Sequence, residues 1–389
     1  MKDKLRLPKG WEMRTVGDVC ERGSSNVSQN QLHDELGDYP IFGASGLIKN
    51  VSFYHQAMPY LSIVKDGSGV GRVTKMDAYT SVIGTLQYIL PKENIDLNYL
   101  FYNLISIDFK KYVAGAAIPH IYFKDYKNEP FLWMPLPEQQ RIVAILDEAF
   151  AAIAKAKANA EQNLKNAKEL FESYLQGVFE NGNWETKKWG DLCDFVRGPF
   201  GGSLKKNIFK EDGYVVYEQK HAIHDHFNQL RYFIDEEKFN EMKRFELLAG
   251  DIIMSCSGVT LGRVAIVPEG IKRGIINQAL LKLTPKKNIS VHFIKYWLKS
   301  NIFQKIIFDY SGGAAIPNVP SAKILKGIAI PCPTLKEQER IVLEIENVLE
   351  ETKKIEAIYQ QKINHLEELK KSILQKAFNG ELKTETVLV

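Results

Sequence analysis

The chain has 389 residues, enough for two or three domains with cores of their own. Its apolar (45 %) and charged (25 %) fractions are ordinary for a globular protein, and no apolar run approaches the ~18 residues of a membrane-spanning helix. Net charge is only +4, yet residues 183–334 alone carry +7 (22 Lys and Arg against 15 Asp and Glu), so a polyanion would meet that segment most strongly.

Met1-Lys2-Asp3-Lys4-Leu5-Arg6 lacks an apolar signal region, and Cys20, Cys193, Cys256 and Cys332 have neither disulfide nor metal spacing. Both features predict a cytoplasmic, reducing setting. Residues 1–136 read as a mixed α/β domain opening on Trp11-Glu12 and Gly17-Asp18-Val19-Cys20. Trp184-Glu185 and Gly190-Asp191-Leu192-Cys193 open a second such domain over 183–334, an offset of 173. The matched Cys20 and Cys193 are flanked by apolar residues, which predicts small core side chains rather than reactive thiols.

Tyr39 to Ile48 reads as strand, glycine turn, strand. Tyr60 to Val73 and Asp251 to Val264 each read as strand, glycine-rich loop, strand. Their shared core is Ser68-Gly69-Val70 against Ser257-Gly258-Val259, a gap of variable length, then Gly71-Arg72-Val73 against Gly262-Arg263-Val264. Small residues let backbone N–H groups approach an anion, and an exit arginine adds a forked donor for phosphate or a guanine edge. The alternative is a tight hairpin whose arginine is merely solvated.

After helical stretches from Tyr99 to Tyr112 and Val291 to Phe308, a third shared signature closes each domain. It is Gly115-Ala116-Ala117-Ile118-Pro119-His120-Ile121 and Gly313-Ala314-Ala315-Ile316-Pro317-Asn318-Val319. His120 and Asn318 either form the turn or read a base edge. His221, His224 and His226 lie close in sequence, but no further Cys or His cluster completes a metal site, so a polar loop is expected and no metal.

The second pair of repeats is helical. Pro137 to Phe179 opens Glu138-Gln139-Gln140-Arg141-Ile142-Val143, and Lys336 to Phe378 opens Glu337-Gln338-Glu339-Arg340-Ile341-Val342, an offset of 199. Ile142, Leu146, Ala149, Ala156, Ala160, Leu164, Ala167, Tyr174 and Val178 match Ile341, Ile345, Val348, Ile355, Tyr359, Ile363, Leu366, Ile373 and Ala377. Only Ile153 meets a polar counterpart, Thr352, and with that pair included the steps, mostly four and three, make a coiled-coil seam. About 42 residues at ~1.5 Å each give a rod of roughly 63 Å. So narrow a stripe calls for a partner, and the chain's own copy, antiparallel, needs no long crossover. Asn181-Gly182 and Asn379-Gly380 are stop signals.

No Walker loop, dinucleotide fingerprint, nucleophile elbow, HExxH or base-methylating Asn-Pro-Pro-Tyr loop is present, which argues against catalysis by this chain. The expected organisation is α+β. Mixed α/β domains occupy 1–136 and 183–334, and long coiled-coil helices occupy 137–182 and 335–389, in a pseudo-two-fold internal repeat.

This order, the Leu136-Pro137-Glu138-Gln139 and Leu335-Lys336-Glu337-Gln338 helix starts, the Gly-Ala-Ala-Ile-Pro loops and the Gly-Arg-Val hairpins resemble the specificity subunit of type I restriction-modification systems. The resemblance implies two target-recognition domains, each reading one half of a bipartite, asymmetric site in double-stranded DNA. It implies paired helices that space them and dock methyltransferase (M) subunits, two in number, with restriction (R) subunits joining through the complex. S-adenosylmethionine and ATP would belong to those partners, leaving this chain without a cofactor. Candidate DNA contacts are Lys65, Ser68, Arg72, Lys75 and His120 in the first domain. In the second they are Arg197, Lys205, Lys206, Lys220, Ser257, Arg263 and Asn318. A competing reading is a protein-only adaptor with two peptide-binding domains on a coiled-coil spacer; another is a repeated hydrolase with phosphate loops.

Overall fold

The computed structural model describes residues 7, 9–115, 117–310 and 317–381. The chain divides into two compact units, residues 1–161 with 360–389 and residues 162–359.

Both units are built on the same strand topology. In the first, Glu12–Thr15 pairs antiparallel with Pro130–Trp133. A four-stranded antiparallel sheet runs Cys20–Ser24, Leu86–Pro91, Tyr60–Val64, Val73–Met76. A three-stranded sheet sets Tyr39–Gly43 between Gly46–Val51 and the parallel strand Ser81–Val82. The second unit repeats this with Thr186–Lys188 on Ala329–Pro331. Its four-stranded sheet is Cys193–Arg197, Leu280–Pro285, Ile252–Ser255, Val264–Ile266. Its three-stranded sheet is Phe233–Ile234, Tyr214–Tyr217, Gly274–Ile276.

The units differ in what is inserted. Between the first two strands of the small sheet the first unit has only the turn after Gly43. The second has the helix Gln219–His224 and the loop that follows it.

The long helices span Leu136–Asn181 and Leu335–Phe378. In each unit the start of one meets the end of the other, so they pack antiparallel. In the first unit Ile142 and Leu146 share a core with Leu374, Ala377 and Phe378. Lys157 Nζ reaches Glu367 Oε1 at 2.6 Å, and Lys370 lies over the Phe150 ring at 5.0 Å. In the second, Leu175 and Phe179 share a core with Ile341 and Ile345.

The terminal phenylalanines anchor these ends: Phe378 packs 5.2 Å from Tyr99, and Phe179 packs 5.6 Å from Phe293. A buried aromatic contributes about 1.5–3 kcal/mol by removing apolar surface from water. The seam is buried or half-buried as the spacing predicts, with one exception. Ile355 is 36 % exposed, whereas Thr352 is buried and returns its hydroxyl to the Val348 carbonyl at 2.7 Å.

The repeated helix starts hide a staple. Gln139 is fully buried; its Nε2 donates to the carbonyls of Asn94 (2.9 Å) and Met134 (2.7 Å), and its Oε1 accepts from Asp96 N–H (2.9 Å). Gln338 does the same job, donating to Pro333 (2.8 Å) and accepting from Ser290 N–H (2.8 Å). Asp96 and Ser290 are the N-caps of helices Leu97–Ser106 and Val291–Lys299. One amide thus ties the start of a long helix to the start of a short one.

The glycine-loop alignment needs correcting. Backbone bonds put Gly67, Val70, Gly71 and Arg72 opposite Gly258, Leu261, Gly262 and Arg263, one offset of 191 with no gap. The paired bonds are Val64 N–H to Arg72 O (3.0 Å) against Ser255 N–H to Arg263 O (2.8 Å), and Gly71 N–H to Val64 O (2.9 Å) against Gly262 N–H to Ser255 O (2.9 Å). The Ser-Gly-Val identity is coincidental: Ser68 matches the exposed Val259, and Ser257 matches Asp66. Positive φ at Gly67 (86°), Gly258 (77°), Gly71 (87°) and Gly262 (78°) sets the register.

Candidate nucleic-acid interface

In each unit the fold joins the two loop signatures that the sequence keeps apart. Gly67 N–H donates to the Pro119 carbonyl (2.8 Å), and Ile121 N–H donates to the Lys65 carbonyl (2.9 Å). Gly258 N–H donates to the Pro317 carbonyl (2.9 Å), and Val319 N–H donates to the Cys256 carbonyl (2.9 Å). Asp66 thereby bridges His120, and Ser257 bridges Asn318. The loops are also pinned from below. A side chain on Gly71 would come within 2.5 Å of Phe109 Cβ, and one on Gly262 within 2.4 Å of Ile307 Cδ1. Residues 313–316 of the second Gly-Ala-Ala-Ile signature, and Ala116 of the first, lie outside the described residues.

The proposed contact residues scatter over these junctions. In the first unit Ser68 is exposed at the loop tip, and Lys65 pairs with Asp66 at 3.3 Å. His120 packs edge-on to Tyr122 at 4.8 Å. Arg72 is exposed and donates through Nη2 to the Ala44 carbonyl in the Gly43–Gly46 turn. Lys75 is not part of this group. It lies 4.7 Å from the Phe101 ring, on the helix side of its strand, because strand side chains alternate faces.

In the second unit Arg197 Nη2 donates to Asn318 Oδ1 at 3.0 Å. Gln219, which the sequence does not single out, donates to Ser255 Oγ (2.7 Å) and the Ser257 carbonyl (3.0 Å). Arg197, Asn318, Ser257 and Gln219 therefore form one polar group. Lys205 and Lys206 are exposed on the following loop, while Lys220 pairs with Glu218 at 3.3 Å. Arg263 stands apart from them, in a crevice with Asp225, Lys299 and Phe171. There burial, with Lys295 and Arg263 nearby, lowers the Lys299 pKa against the pull of Asp225. Arg72 and Arg263 thus share a backbone position but meet different insertions.

Burial pushes the thiols of Cys20, Cys193 and Cys256 up to about 12, the environment of inert core cysteines. His221 is buried, with its pKa lowered by desolvation, and its Nδ1 accepts from Glu218 N–H at 2.9 Å. Among the described residues no three His, Cys, Asp or Glu side chains are grouped to hold a metal, and no helix is long and apolar enough to cross a membrane.

The family described as type I restriction modification DNA specificity domain matches residues 8–165 and 181–368, once on each repeat. The chain belongs to the type I restriction-modification specificity subunits. Among similar proteins, the MjaVIII specificity subunit of Methanocaldococcus jannaschii is 23 % identical across 98 % of this chain and 95 % of its own. The EcoDI specificity subunit of Escherichia coli is 22 % identical across 98 % of this chain and 90 % of its own. Among solved structures, a chain from a study of complex assembly and conformational transition in the type I R-M system superposes with a TM-score of 0.74. It shows 18 % identity and covers 97 % of this chain and 100 % of that one. The HsdS subunit of Thermoanaerobacter tengcongensis gives 0.62 at 17 % identity, covering 98 % and 99 %.

The specificity subunit is the non-catalytic, DNA target-recognition part of the type I complex. Two β-rich domains with two long helices packed together are the fold those structures share.

Proposed function

We infer that each unit reads one half of a bipartite, asymmetric duplex site. The recognition domains are residues 1–136 and 183–334, and the helices over 137–182 and 335–389 set the spacing of the half-sites. The observation that carries this is the loop junction: the same hydrogen bonds recur in both units, while the insertions around them differ. A shared skeleton suits what both half-sites have in common, the phosphate backbone; unlike insertions suit unlike words. Arg72 and Arg263 are the leading backbone or base donors. Lys65, Ser68 and His120 in the first unit, and Arg197, Lys205, Lys206, Lys220, Ser257 and Asn318 in the second, are supporting contacts, and Lys75 is the weakest of the set.

Two methyltransferase subunits dock on the long helices, and restriction subunits join through them. Leu170 and Leu369 support two equivalent docking places. They stand 199 residues apart, the offset of the repeat, and remain 53 % and 47 % exposed. The same apolar spot is therefore offered twice.

The test is selection of duplexes from a randomised library by the full chain with its methyltransferase partners, followed by a salt titration. A two-part word with an unread gap is expected. Arg72→Ala and Arg263→Ala should each lower the slope of log affinity against log salt by about one. If both leave affinity and slope unchanged, the loop assignment is wrong.

A further inference from the structure

At the end of strand Cys193–Arg197 the second unit holds a crevice lined by Arg197, Phe200, Glu241, Arg244, Phe245 and Gln278. We propose that this crevice reads guanine in one half-site, with Arg197 and Arg244 as the forks and Phe200 as an apolar contact beside them. The inference rests on the reading that each unit recognises half of a duplex site, and it goes further by naming the base and the residues.

Three observations converge. First, the two guanidiniums have no carboxylate partner among the described residues. Arg197 is held by a neutral amide, Asn318, and the Arg244 guanidinium carbon lies over the Phe245 ring, 4.6 Å from its centroid. Their surroundings make this unusual. Lys243, beside Arg244 in sequence, and Arg273 both pair with Glu246, and Glu241 in the crevice wall is taken by Lys238 at 2.8 Å. An arginine held in place through one face or one nitrogen keeps the rest of its fork for O6 and N7 of guanine, the pairing that a planar fork fits best.

Second, Phe200 is 92 % exposed on a Gly198-Pro199-Phe200-Gly201-Gly202 loop at the crevice rim. A lone exposed apolar side chain is common, but here it lines the same crevice as two guanidiniums without a carboxylate partner among the described residues, just ahead of the exposed Lys205 and Lys206. An apolar side chain so placed fits a thymine methyl or the space between base steps. The loop's entry is fixed, since any side chain at Gly198 would strike the Asn277 carbonyl at 1.9 Å.

Third, the first unit has a crevice at the same place in its topology, at the end of strand Cys20–Ser24, with a different lining. Asn26, Gln31, Glu35, His55 and Gln56 stand there, and among the described residues no guanidinium does. Amide side chains fit adenine rather than guanine. The guanine requirement therefore belongs to one half-site only.

The measurement is library selection by the full chain with its methyltransferase partners, comparing wild type with Arg244→Ala, Arg244→Lys and Arg197→Lys. Arg244 is exposed, so unchanged melting curves are expected for its variants. Each variant should lose about 10- to 100-fold of its preference for guanine at one position of one half-site, leaving the other half-site intact. Lysine should not restore the preference, because it keeps the charge without the fork. A wild-type word lacking guanine, unchanged words in the variants, or equal weakening on every sequence would overturn the assignment. Failure of wild type to select any two-part word would instead refute the half-site reading beneath it.

Discussion

Replacing Gln139 by alanine tests whether the helix-start motif acts as a buried staple. Its amide makes three hydrogen bonds in a fully buried position, two donated and one accepted. Each is worth about 1 kcal/mol net, and the Met134 carbonyl, itself buried, would be left at the upper end of the penalty for an orphaned group. The loss comes to about 3–4 kcal/mol. Gln338→Ala removes two such bonds and should cost about 2 kcal/mol. For a unit of this size, 1 kcal/mol moves the melting point by roughly 2–4 °C. Gln139→Ala should therefore lower it by roughly 6–16 °C, and Gln338→Ala by about half that. Gln139→Met, which keeps the volume and discards the bonds, should recover little. Calorimetry and urea unfolding followed by tryptophan fluorescence measure both. If either alanine variant costs under about 0.5 kcal/mol, or methionine fully restores stability, the amide is not the element joining these helices.

Gly71→Ala should destabilise the first unit and weaken DNA binding together. The position combines φ of +87° with a 2.5 Å approach to Phe109 Cβ, so the loop must move; a folded, fully binding variant would refute the pinning. Thiol labelling of the native chain near pH 8 should report one accessible cysteine, Cys332, and all four only on unfolding, because burial holds Cys20, Cys193 and Cys256 as thiols up to about 12. Leu170→Glu and Leu369→Glu should each remove one methyltransferase from the assembly, read as a mass difference, without altering the DNA word bound by the chain. Adding one heptad to both long helices in register should widen the unread gap by about three base pairs, from seven residues at ~1.5 Å against ~3.4 Å per base pair.

The paired helices and the duplicated organisation were legible because periodicity survives when identity does not. A seam needs only apolar side chains every three or four positions, and Ile142, Leu146, Ile341 and Ile345 supply them. The staple was not legible. Gln139 sits among Glu138, Gln140 and Arg141, and nothing in that polar run marks the one residue that turns inward; only the loop carrying Asn94 and Asp96 reveals it. The loop register was misread for a related reason. Ser-Gly-Val is a chemical coincidence, whereas φ at Gly67 and Gly258 is a steric requirement, and identity of side chains does not report which glycine bears it. Gln219 escaped notice because its partners, Ser255 and Ser257, are 36 and 38 residues away. The exposure of Phe200 likewise depends on the loop's course rather than its composition.

On the proposed reading of one half-site per unit, the division of labour inside each unit lets one chain carry two unlike specificities on one scaffold. The elements that recur in both units are the glutamine staple, the glycine loop tied to a proline carbonyl (Pro119 or Pro317), and the aromatic anchors Phe179 and Phe378. All of these are held by backbone bonds or by buried contacts, so they tolerate little change. What differs lies between strands or at strand ends: the turn after Gly43 against the helix Gln219–His224, and the loop after Ser24 against the Phe200 loop. Changes at their outward positions, such as Phe200 with Lys205 and Lys206 after it, leave the cores intact, whereas His221 and Ala222 of that helix are themselves buried. A substitution such as Arg244→Ala is therefore expected to be nearly silent in stability while altering the proposed base preference, and Gln139→Ala is expected to do the reverse. That separation is what allows recognition to diverge within each unit without refolding the subunit.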